Sequence, residues 1–148
     1  MGYLLLAAIA GCGLVASIAC HIMGWLHVEP PWGEAVFVLH AGALVLWFPL
    51  VAFANRTMPR PGRGNLEHLL VLLPKWTRLA IQGLFVYALI NFAYWMFATR
   101  QYPRHGAPFS VTLRIFSGHW MLFYGIAAAG FVALARLARK RSDDETAA

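Results

Sequence analysis

Charge is what this sequence has least of. Charged residues make up 12% of the 148 and apolar residues 60%, where a soluble domain carries about 25% charged residues. The deficit, the mean hydropathy of +0.61 and the long apolar runs argue against a soluble domain. They place the chain among integral membrane proteins. Acid is scarcer than base, with 6 Asp and Glu against 12 Lys and Arg. No carboxylate lies deeper than the rim of an apolar run. That excludes a carboxylate-bridged di-iron centre, and it leaves Ser17, Ser110 and Ser117 without a Ser–His–Asp arrangement. Cysteine is nearly absent. Cys12 and Cys20 lie in one apolar run, about 12 Å apart along a helix, too far for a disulfide. With no CxxC, thiol–disulfide exchange is disfavoured and both thiols read as small hydrophobes. There is no Gly-rich phosphate loop, HExxH helix, nucleophile elbow or internal repeat.

What is present is four apolar runs, about 3–26, 34–54, 76–98 and 114–135. Each approaches the roughly 20 residues that cross a bilayer as a helix. The first is not read as a signal peptide or, through "IAGC" at 9–12, as a lipoprotein leader. No Lys or Arg precedes it, and it continues well past Cys12. The expected architecture is all-α: a single polytopic domain over residues 1–141, a four-transmembrane-helix bundle with a short interfacial helix before the third span. Residues 142–148 are expected to form a disordered cytoplasmic tail.

The net charge of +6 does not point to nucleic acid, because the basic residues sit at the ends of apolar runs, where they orient helices. Arg56, Arg60, Arg63, Lys75 and Arg78 flank the second connection, and Arg136, Arg139, Lys140 and Arg141 follow the fourth run. That side is expected to be cytoplasmic, with both termini inside a bacterial-type inner membrane. Trp25, Trp32, Trp76, Trp95 and Tyr102 fall near the expected interfaces. "VEPPWG" reads as a proline-stiffened turn and "NRTMPRPGRGN" as irregular chain. "LEHLLVLLP" at 66–74 reads as a short amphipathic helix stopped near Pro74.

The candidate chemistry lies in the histidines. His21, His40 and His119 come from three runs that cross in both directions. At 1.5 Å per residue each imidazole sits about 8–9 Å below the outer end of its span, and Asn91 of the third run about 12 Å below. Polar side chains at such depth usually face the bundle interior and mark function. Haem b is the first guest such a layer suggests, with His40 and His119 as axial ligands and His21 as the alternate. Arg104 and Arg114 would then hold carboxylates, and Asn91 would tune the site by hydrogen bonding. A single transition metal on His21, His40 and His119 is the second, with Glu34 as an outer partner or proton relay. The third is no guest at all, each ring simply bonding to a carbonyl or hydroxyl nearby. The aromatic run "FAYWMF" at 92–97 is a candidate wall for a quinone or lipid pocket.

The leading functional expectation is therefore a membrane redox protein that binds haem b or another metal near the outer face and exchanges electrons with quinone. One rival is a non-catalytic accessory subunit of a larger membrane complex. The other is a proton-coupled carrier of a small solute. Expected partners are the lipid bilayer, quinone and other membrane subunits, and not nucleic acid.

Overall fold

A computed structural model describes residues 2–57, 65–98, 100, 102 and 106–147, with the side chains of 65–67 excepted. All regular structure among them is helical. Helix α1 spans Gly2–Trp25, α2 Val38–Thr57, α3 Asn65–Val71, α4 Lys75–Ala98 and α5 Phe109–Thr146, and a 3-10 turn, Gly33–Phe37, leads into α2. By length and composition, α1, α2 with its leading turn, α4 and α5 can each cross a membrane. The chain is a multi-pass membrane protein: a four-helix bundle with a short helix before the third span.

Helix α5 is the core. Its buried residues fall on nearly every face between Ser110 and Leu134, as befits a helix surrounded by others. The remaining spans each bury one narrow stripe. On α1 the stripe is Ala10, Gly13, Ser17, Cys20, His21 and Gly24; on α2 it is Ala43, Leu46, Leu50 and Ala54. Three- and four-residue spacing keeps each stripe on one face. The other faces expose large apolar side chains, among them Leu5, Val15, Val45, Phe48, Leu89 and Ile90. In a bilayer this is the surface that lipid covers, so burial inside the protein falls to small and polar residues. Helix α3 tucks Leu69 into the core, followed by Leu73, while His68 stays exposed.

Small residues set how closely the helices approach. A methyl group on Gly24 would stand 2.9 Å from the backbone nitrogen of Arg114, so α1 and α5 touch there main chain to main chain. Gly13 and Gly42 make room for the Tyr124 ring, whose hydroxyl donates to Leu39 O at 2.8 Å. Gly118 abuts Asn91 and Gly125 abuts Leu84. These glycines serve helix contacts, and Gly125 also borders a hollow between α1, α4 and α5.

The bundle has two distinguishable ends. At one, Tyr3 meets Phe53 edge to face at 5.4 Å, and Gly2, Phe53 and Ala138 border one shallow hollow. Arg141 donates to Thr57 O there at 2.9 Å, satisfying a terminal carbonyl of α2. At the other end α1 closes around His27, which holds the left-handed conformation at φ 55°. Val28 N–H donates back to Met23 O at 3.0 Å, a helix stop that usually employs glycine. A hydrogen bond of 3.1 Å between His27 Nδ1 and Ser110 Oγ ties that turn to the start of α5.

Two boundaries differ from those read in the sequence. The fourth span begins at Phe109, because the Pro108 carbonyl accepts from Val111 and Thr112 N–H at 3.0 and 3.1 Å and starts the helix early. At its other end α5 runs on to Thr146, through most of the segment expected to be a disordered tail. There Arg139, Lys140 and Arg141 precede Asp143, Asp144 and Glu145 by four positions, a spacing that supports a helix. Thr146 Oγ1 donates to Ser142 O at 3.0 Å.

The close approach at Gly24 gives a direct test. Gly24→Leu is expected to cost about 1–3 kcal/mol or more by overpacking, read as thermal unfolding of the helical circular dichroism signal in detergent. Gly83 of α4 has open space around it, so Gly83→Ala is expected to be neutral or to stabilise by about 0.5–1 kcal/mol.

Candidate functional site

Two groups of polar side chains lie against α5, in different grooves. The first lies between α1, α4 and α5 and centres on His21. Trp25 Nε1–H donates to His21 Nε2 at 3.0 Å, and the Tyr87 hydroxyl is bonded to the same nitrogen. An indole N–H only donates, so Nε2 is an acceptor and the proton sits on Nδ1. That N–H faces Arg114 O and Ser117 Oγ, each at 2.9 Å. From α4, Asn91 Nδ2 donates to Arg114 O at 3.1 Å and Ile115 O at 3.2 Å. Ser117 Oγ lies 2.6 Å from Leu113 O, to which it donates. Every polar group of His21 is thus engaged inside the protein, as a low-dielectric interior requires.

Arg114 lies at the outer edge of this group, where α1 ends. It is 6% exposed. Its Cζ stands 4.3 Å from the Trp25 ring centroid and 4.2 Å from that of Tyr94. Both rings therefore hold the guanidinium by cation–π attraction. Its Nε and Nη2 are buried and have no hydrogen-bond partner among the described residues.

The second group lines a cavity of about 190 Å³ between α2, α4 and α5. His40 comes from α2 and Phe92 and Trp95 from α4, while Ile115, Phe116, His119 and Phe123 of α5 form the floor. The His40 ring meets Phe116 edge to face at 5.9 Å, and the His119 ring meets Phe92 likewise at 5.8 Å. His40 and Phe92 are exposed on the bundle surface, so the cavity opens sideways, toward where lipid would lie.

The two imidazoles of this cavity have opposite polarity. His119 Nδ1 is 2.9 Å from Ile115 O. A carbonyl only accepts, so the proton is on Nδ1 and Nε2 keeps a lone pair. At His40, Trp120 Nε1–H donates to Nδ1 at 3.1 Å, so Nε2 carries the proton. One ring presents an acceptor and the other a donor. Trp120 is fully buried and meets Phe37 edge to face at 5.6 Å, which holds the indole in place.

The sequence places His21, His40 and His119 at one level, and the structure divides them. His40 and His119 share the cavity; His21 does not line it. The reason is angular. Ser117, which His21 contacts, and His119 are two positions apart on α5, about 200° around the helix axis. Among the described residues no three His, Cys, Asp or Glu side chains form a group able to hold a metal ion. Asn91 ties α4 to α5 and is not in the cavity lining; Arg114 lies with His21. Arg104 falls outside the described residues. Glu34 is exposed in the 3-10 turn. Phe92 and Trp95, picked out as a pocket wall, do line the cavity. Nothing in the sequence marks Tyr87 or Trp120 as the partner of a histidine. Only Trp25, four residues after His21 on the same helix, stood at a readable distance.

A larger hollow of about 460 Å³ lies between α1 and the start of α2, lined by Ala16, Ala19, Met23, Trp32, Val36 and Leu39 with the Cys20 thiol. Almost nothing in it would orient a polar ligand. No protein-family model matches the chain, and no curated protein or solved structure shows significant similarity to it.

The ties around His21 are separable by a double-mutant cycle. His21→Leu combined with Tyr87→Phe is expected to show a coupling of about 0.5–2 kcal/mol in unfolding measurements in detergent. A coupling of zero would mean that the His21–Tyr87 bond adds no stability.

Proposed function

We propose that the protein binds the ring of a quinol in the cavity between His40 and His119. One observation carries this reading: two imidazoles from different helices line one aromatic space, one as donor and one as acceptor. A quinol presents two hydroxyls, each able to accept and donate. One accepts from His40 Nε2–H and the other donates to His119 Nε2. A quinone has two carbonyls, which only accept, so it satisfies His40 and leaves His119 without a donor. The size supports a single ring, since a benzene molecule occupies an apolar cavity of about 150 Å³. Phe92, Phe116 and Phe123 would pack on its faces and edges. The sideways opening would let an isoprenoid tail remain in the bilayer.

Haem b is the rival that histidine chemistry suggests. Bis-imidazole ligation needs a lone pair from each ring. His119 offers one at Nε2, but His40 holds its proton there while Trp120 donates to Nδ1. The space is also a single ring in size. Both points favour the quinol. Oxidising a quinol releases two electrons and two protons. The reading therefore puts the chain beside a redox-active membrane subunit that takes both electrons, with His119 Nε2 placed to accept the proton of one hydroxyl and the proton of the other passing to water.

We place the protein in a bacterial-type inner membrane, both termini cytoplasmic. The N-terminus of α1, the C-terminus of α2 and the last turns of α5 share one end of the bundle. That end carries Arg56, Arg136, Arg139, Lys140 and Arg141, the side that basic residues mark as internal.

The ligand test is a titration of purified protein with a short-tailed benzoquinol and with its quinone, read by quenching of tryptophan fluorescence. The quinol is expected to bind more tightly. His40→Leu and His119→Leu should each weaken it about tenfold, since each leaves a ring hydroxyl unpaired. Trp120→Phe should weaken it about threefold, because it removes the donor that holds the His40 proton on Nε2. A red protein whose Soret band vanishes in both histidine variants would replace quinol by haem. Binding indifferent to both histidines would leave an accessory subunit as the better reading.

Orientation has its own test. A green fluorescent protein fused after Ala148 is expected to fluoresce, and alkaline phosphatase fused there to be inactive. The reverse pattern inverts the assignment.

A further inference from the structure

Arg114 carries a second site, independent of the quinol reading. A buried guanidinium with unpaired donors is costly, and no Asp or Glu occurs in α1, in α4 or in the part of α5 that packs against them. Glu29 and Glu34, in the connection between α1 and α2, are both exposed. The two donors without a partner, Nε and Nη2, are neighbours on one edge of the guanidinium. That edge is the fork that takes a carboxylate or phosphate through two parallel bonds. The Trp25 and Tyr94 rings stand 4.3 and 4.2 Å from the Cζ of the same group. The two rings clamp the group, and its two unpaired donors are left as the place to bind.

The level of the site points to the source of the anion. Arg114 lies against Gly24, one residue before α1 ends at Trp25, so it sits at the end of a span. Trp25 and Tyr94 are 55% and 50% exposed and flank it as aromatic residues flank a headgroup region. We propose that Arg114 binds an oxyanion at this end of the bundle, and that the oxyanion is the phosphate of a phospholipid headgroup. Trp25 and Tyr94 stand against the guanidinium and are half-exposed, so rotation of either ring would open a path to it, and the acyl chains would lie on the exposed apolar surface of α4, which includes Ile90 and Phe97.

Native mass spectrometry of the purified protein tests this, with dioleoylphosphatidylglycerol as one probe and inorganic phosphate as the other. One retained phosphatidylglycerol is expected. Arg114→Lys keeps the charge but loses the fork, and should weaken retention about tenfold. Trp25→Leu and Tyr94→Leu keep the arginine and loosen its clamp, and each should weaken retention about threefold. These two variants carry the test if Arg114→Lys fails to fold. Equal retention by the wild type and all three variants overturns the proposal. If millimolar inorganic phosphate raises the thermal midpoint of the wild type but not of Arg114→Lys, and the lipid is not retained, the oxyanion site stands and its lipid source is overturned.

Discussion

The carbonyl oxygen of Arg114 is the point at which three helices are joined. His21 reaches it from α1, Asn91 from α4, and Ser117 lies beside it on α5 itself. Within a bilayer no water competes for these groups, so a side chain that leaves its partner leaves it unsatisfied. Apolar packing alone does not hold helices together in lipid, because tails are as apolar as leucine. Close approach of small residues and these few polar bonds must do so. Gly24 brings α1 down onto the α5 backbone and Gly118 lets Asn91 in, so the glycines and the polar ties act as one joint.

The joint also sets the geometry of the cavity. Asn91 and Phe92 are neighbours on α4, as are Gly118 and His119 on α5. Fixing Asn91 against Gly118 therefore places Phe92 against His119 on the adjoining face. The opposite wall is placed by Tyr124 and Trp120, which bond to Leu39 and His40 on α2. The rings that border the cavity thus take their positions from contacts made one residue away. Side chains supported in this way are held in position before anything binds.

The spans were legible because hydropathy and length suffice to find them. The rise per residue gives each histidine a position along its helix. What the sequence did not reveal was direction around the axis, because α5 is apolar on nearly all sides and gives no preferred face. Ser117 and His119 look equivalent in depth yet face different neighbours. Tautomers were hidden for a related reason: they depend on Trp120 and on Ile115 O, which lie in runs that read only as apolar filling. The charged residues at the end of α5 read as solvated chain, while the structure continues the helix through them to Thr146.

That length has a mechanical meaning. At 38 residues, α5 is about 57 Å long, well beyond the ~30 Å of hydrocarbon in a bilayer. Its last turns, gripped at Thr57 by Arg141, form a stiff mast continuous with the centre of the fold. Any torque applied to the mast by a docked neighbour would be delivered, without a hinge, to the turn that bears His119.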